Sequence, residues 1–163
     1  MAVNKYQPHV LVIPEDEHDR QIANGFLLDQ SLFTRRIQIL EEAGGWVRVL
    51  DQFESDHIEG MESWPGRFMV LIIDFDGNTG RLAQAMARIP ANLADRVFVL
   101  GSLTDPEDLR RSFRKTFEEI GTALADDCRE DTNLSWGHNL LQHNLTELSR
   151  LRASVRPFLF AAG

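Results

Sequence analysis

Cysteine is almost missing from this chain: Cys128 is the only one in 163 residues. No internal disulfide can form, which points to a reducing compartment. Long apolar runs are missing as well. No stretch approaches the ~18 apolar residues of a membrane span. The apolar run in "MAVNKYQPHVLVIPEDE" is too short for a signal peptide. The expectation is a cytoplasmic protein without membrane contact. Basic residues are outnumbered, with 17 Lys and Arg against 25 Asp and Glu, for a net charge of -8. That argues against a surface broadly suited to nucleic acid but leaves room for a local basic groove. There is no phosphate-cradling glycine loop, no Ser/His/Asp constellation, no repeat and no low-complexity linker. What remains is ordinary globular composition, 43% hydrophobic and 26% charged, in a length that suits one domain with a real core.

Four short segments read as buried strands. "HVLVI" (9–13) is an apolar run ended by Pro14, and "RFMVLIID" (67–74) is the strongest strand pattern in the chain. "WVRVL" (46–50) alternates and is β-branched, and "RVFVLG" (96–101) closes on glycine. Helical spacing predicts helices over about 19–28, 31–45, 51–63 and 80–89, with Gly44-Gly45 ending the second. Beyond Gly101 the strand signals stop. Helices are expected after Thr104 or Asp105, over 117–130, and over 135–160 until Pro157. The fold expected is α/β: a small, mainly parallel, four-stranded sheet with flanking helices over 1–102. A helical C-terminal extension, 103–163, packs on the same domain.

In such sheets ligands bind outside the carboxyl ends of the strands. The first strand ends in Glu15, Asp16, Glu17 and, slightly later, Asp19; the third ends in Asp74 and Asp76 within "LIIDFDGNTG". If those two strands lie close, Glu15 faces Asp74 and Asp76 across the top edge. Three carboxylates in one small volume repel, and a divalent cation relieves them. Oxygen ligands suit a hard ion, Mg²⁺ or Mn²⁺. Asp16, Glu17 and Asp19 read instead as solvated loop charge or as helix N-terminal charge.

"HVLVIPE" followed by "MVLIIDFD", with a strand–helix unit between, resembles the Toprim domain of topoisomerases, bacterial primases and several nucleases. The resemblance covers residues 9–101. It implies Glu15 as general acid/base or metal ligand, Asp74 and Asp76 as Mg²⁺ ligands, and Mg²⁺-dependent phosphodiester hydrolysis. It also implies an ATPase partner, since relatives of that fold often act beside one. The family glutamate is usually followed by glycine; here Asp16 follows.

Two other readings stand beside this one. "DFDGNTG" is one residue away from the nucleophile motif of haloacid-dehalogenase-like phosphatases. Asp74 would be the nucleophile, Asp76 the general acid, with Ser102, Lys115 and the pair Asp126-Asp127 completing the set. The third reading is a non-catalytic, Toprim-shaped binding or scaffold protein. "LRRSFRKTF" offers Arg110, Arg111, Arg114 and Lys115, with Phe113 and Phe117 interleaved, as a nucleic-acid contact or as a solvated helix face. His138 and His143 are five apart and read as helix-surface residues.

Overall fold

The computed structural model describes residues 2–161. Strands β1 (His9–Pro14), β2 (Ile37–Ile39), β3 (Arg67–Ile72) and β4 (Val97–Leu100) form one sheet. Every neighbouring pair is parallel, and the order is β2-β1-β3-β4. The helices are α1 (Glu17–Phe26), α2 (Trp46–Gln52), α3 (Ile58–Ser63), α4 (Arg81–Ala87), α5 (Pro106–Phe113), α6 (Phe117–Glu130) and α7 (Leu145–Leu159). A single turn of π-helix, Phe53–His57, joins α2 to α3. Among the described residues no helix is long and apolar enough to cross a membrane.

The α/β class and the four parallel strands are as expected, but one strand comes from a different segment. The helix expected over 31–45 is absent. That stretch holds a 3₁₀ turn, Thr34–Arg36, and then β2, whose Ile37 and Ile39 lie opposite Val10 and Val12 of β1. Leu32, Phe33, Ile37 and Leu40 suit helical spacing, yet I-Q-I-L also alternates, and so short a run cannot separate the two periods. "WVRVL" is helix, not strand. Trp46, Val49, Leu50 and Phe53 recur at i, i+3, i+4 and i+7; Val49, Leu50 and Phe53 are buried while Val47 is exposed. Gly44 and Gly45 therefore precede a helix rather than end one. The long helix expected over 135–160 begins only at Leu145, and Pro157 lies inside its last turn.

Alternate strand residues feed two cores, one on each face of the sheet. Val10, Val12, Val70, Phe98 and Leu100 pack under α1, α5, α6 and α7. Leu11, Ile13, Met69, Leu71, Val97 and Val99 pack under α2, α3 and α4. The C-terminal helices, with α1, thus form one layer of a three-layer α/β/α sandwich: Leu109, Ile120, Leu124, Leu148 and Val155 are all core. On that layer α1 and α6 touch backbone to backbone. A Cβ on Gly121 would stand 1.9 Å from the Ile22 carbonyl oxygen, and one on Gly25 would stand 2.1 Å from that of Glu118. Gly121→Ala is expected to push the helices apart at a cost of about 1–3 kcal/mol, read as a lower thermal midpoint.

Among the described residues β4 is an edge strand with no fifth strand beside it. Side chains of the 142–150 segment take that place. Glu147 accepts from Val99 N–H at 3.0 Å, and Arg150 donates to the Val97 carbonyl at 3.0 Å. Asn144 accepts from Gly101 N–H and donates back to the Gly101 carbonyl. His143 Nε2 lies 2.8 Å from the same carbonyl, which puts its proton on Nε2. The open ladder is satisfied and closed to further strands. His143 is thus no helix-surface residue; it is part of this edge and meets Phe75 edge-on.

Candidate metal centre

β1 and β3 are neighbours at the centre of the sheet, with Pro14 opposite Ile72. From β1 the chain goes outward to β2, and β3 lies on β1's other side, so their carboxyl ends flank a topological switch point. Glu15 leaves one strand there, and Asp74 leaves the other. The Asp74 backbone N–H donates to Glu15 Oε2, which pins the glutamate across the gap.

The third carboxylate comes from α1. Asp16 caps that helix by accepting from Asp19 N–H at 2.9 Å. Asp19 therefore sits in the first turn and leans back toward the strand ends. It is only 3% exposed. Ligand atoms of Glu15, Asp19 and Asp74 all lie within 4.8 Å of one another. Asp19 Oδ2 and Asp74 Oδ1 are buried and have no hydrogen-bond partner. Asp19 also lines a cavity of ≈ 60 Å³ together with Ser102, whose hydroxyl donates to the Thr104 carbonyl.

Each of the three carboxyls titrates above its ordinary range. Burial raises Glu15 most, and the Asp74 amide only partly offsets it. Burial, then the charges of Asp74, Asp16 and Glu15, raises Asp19 well above a normal aspartate. Burial, then Glu15 and Asp16, pushes Asp74 up to about 8. Three acidic groups that resist ionisation, two of them with an unpartnered buried oxygen, match what a cation supplies. These residues could hold a metal ion. An all-oxygen set fits a hard divalent one.

Asp76 lies outside this set. Asp76 and Gly77 both have positive φ, and Asn78 N–H closes the turn onto the Phe75 carbonyl. The turn sends the Asp76 carboxylate, 67% exposed, to Arg81 at 3.0 Å. Phe75 points inward and is buried.

The basic residues stand further off. α5 begins beside the site: Asp105, its cap, is close enough to raise the Asp74 carboxyl. Eight residues of helix at ~1.5 Å each put its far end about 12 Å away. There Arg110, Arg111, Arg114 and Lys115 line an open cleft with Thr116 and Glu119. Arg110 pairs with Glu107 and Arg111 with Asp108. Asp126 and Asp127 stand near the other end of α1, where Arg129 joins Asp126 to Asp29. Asp127 is committed to the loop 132–136.

Sequence reasoning brought Glu15 and Asp74 together and passed over Asp19. The signal was there: Asp19, Ile22, Ala23 and Phe26 form one i, i+3, i+4, i+7 stripe, so the aspartate occupies a core-facing position. No protein-family model, no curated protein and no solved structure matches this chain. The likeness to Toprim domains rests on the two short motifs, and the functional reading rests on the acidic site.

Proposed function

We propose that this protein is a divalent-cation-dependent phosphodiester hydrolase. The observation that supports it is the Glu15, Asp19 and Asp74 cluster with its two unpartnered buried oxygens. In this reading Asp19 and Asp74 hold Mg²⁺ or Mn²⁺, with Glu15 beside them. The ion, when bound, supplies Lewis acidity toward a phosphoryl oxygen. Glu15 keeps one carboxylate oxygen on the Asp74 amide and uses the other as the proton acceptor for an attacking water; its raised affinity for protons suits that role. The substrate proposed is nucleic acid. One phosphate would sit at the acidic end of α5 and the following ones would reach Arg110, Arg111, Arg114 and Lys115 at the other end. An ATPase partner stands on the resemblance alone.

The test is cleavage of single- and double-stranded oligonucleotides with Mg²⁺ or Mn²⁺ present. Asp19→Asn, which removes a ligand itself, is expected to lower the rate by at least the roughly 10–100-fold that loss of an outer-shell partner costs. Arg114→Ala is expected to weaken binding and flatten its salt dependence. Absence of cleavage with every ion and substrate, with the ion nonetheless bound, favours the non-catalytic binding protein.

A further inference from the structure

One cation faces the acidic site, and neither the motifs nor the basic cleft includes it. Arg81 Nη1 donates to the Asp74 carbonyl at 2.6 Å, and Nη2 meets Asp76 Oδ2 at 3.0 Å. The guanidinium carbon lies 4.6 Å from the centre of the Trp46 ring, and the Arg81 side chain is 16% exposed. It is also near enough for its charge to act on Glu15. The guanidinium lies over the indole, and one of its N–H groups is held by the Asp74 carbonyl. A planar fork held this way presents paired N–H donors, which match two oxygens of a phosphoryl group.

From this placement we infer that Arg81 is a phosphate clamp beside the metal centre, and that Asp76 is its resting partner, displaced when a phosphoryl group binds. This inference rests on the metal reading above. With a divalent ion held by Asp19 and Asp74 and the Glu15 carboxylate beside it, the site still carries a net negative charge. Arg81 offsets that charge only when Asp76 no longer neutralises it. The exchange is feasible because the Asp76 carboxylate is mostly in water already, so its ion pair with Arg81 is a weak one to break. The clamp selects a substrate whose reacting group is a phosphate with two accessible non-bridging oxygens. Trp46, lying under the guanidinium, reports its occupancy.

Calorimetric titration separates the parts. Mg²⁺ is titrated first into the wild type, and inorganic phosphate is then titrated with Mg²⁺ saturating. Wild type is expected to bind phosphate only with Mg²⁺ present and to show a change in tryptophan fluorescence that Trp46→Phe abolishes. Arg81→Gln is expected to keep its Mg²⁺ affinity and lose about tenfold or more in phosphate affinity. Arg81→Lys falls between, since it keeps the charge and loses the fork. Asp76→Asn frees the guanidinium and is expected to tighten phosphate several-fold without weakening Mg²⁺. If Arg81→Gln binds phosphate as wild type does, the clamp is wrong and the metal centre stands. If wild type binds no divalent ion, the metal reading fails and the clamp with it. Should Arg81→Gln not fold, Asp76→Asn decides alone, and no gain in phosphate affinity overturns the inference.

Discussion

Stripped of divalent ions at pH 8, Asp74→Asn is expected to melt above the wild type; with Mg²⁺ or Mn²⁺ added, the difference should narrow or reverse, because only the wild type should respond. The reason is the crowding at the switch point. Asp74, pushed up to about 8, keeps a proton in the folded state that the unfolded chain releases near 3.9. Between those values the folded state binds more protons than the unfolded one. Stability therefore falls as pH rises from about 4 to about 8 and levels off above that. Asp19, raised by burial and by the same neighbours, adds a fall of the same sign. Asparagine removes the Asp74 share. After discounting for the solvent that still reaches this site, the gain is on the order of 2 kcal/mol, or about 4–8 °C.

A divalent ion competes with those protons. Its stabilisation of the wild type should therefore grow with pH through the same window. Melting curves at pH 5, 6.5 and 8, with chelator or with ion, check both slopes. A wild type whose midpoint rises toward pH 8 in chelator, or a variant that responds to the ion as strongly as the wild type, removes the electrostatic basis of the site.

Three of the four strands were legible because their signal is local and strong. "HVLVI", "RFMVLI" and "VFVL" are buried on both faces, and such strands read as near-continuous apolar runs. β2 was not legible. Three residues carry no period of their own, and their partner Val10–Val12 lies some twenty-seven positions away. "WVRVL" misled because β-branched residues favour strands in isolation, while the stripe that makes it a helix continues beyond the segment into Phe53. The same division runs through the site. Glu15 and Asp74 follow strands and are placed by topology. Asp19 depends on where α1 starts, and that is set by the Asp16 cap. Asp76 depends on a turn whose two positive-φ residues aim the carboxylate away. The edge of β4 was beyond reach, because its partners are the side chains of Asn144, Glu147 and Arg150, which no strand pattern announces.

Asp127 poses the opposite electrostatic case and gives the largest expected loss of stability. It is 2% exposed, yet its surroundings favour the charged form. Burial alone would raise its carboxyl, but the Thr132 hydroxyl and the Trp136, Ser135 and Leu134 amides outweigh that and hold it below the usual range. The four donors lie at 2.7–3.1 Å and wrap the loop 132–136 around one side chain. That loop seats Trp136 in the core against α6, where its indole N–H donates to the Leu124 carbonyl at 3.2 Å. Asp127→Ala strands three amides and a hydroxyl in or near the interior and unseats an aromatic anchor. Leaving a buried donor unmade costs roughly 1–3 kcal/mol, and water will recover part of it. The net expectation is about 4 kcal/mol, or a midpoint lower by about 8–16 °C. Asp127→Asn should lose less than Asp127→Ala, since it keeps one acceptor oxygen, but it should still fall below the wild type because its new amide donor faces N–H groups that need an acceptor. The pH dependence has the reverse sign from that of Asp74. A depressed carboxyl contributes fully above its unfolded value near 3.9 and loses that contribution as pH falls through its folded one. The gap between wild type and Asp127→Ala should therefore be constant from pH 8 to about 5 and shrink below that. A gap that instead widened toward acid would mean that the loop is held by something other than this carboxylate.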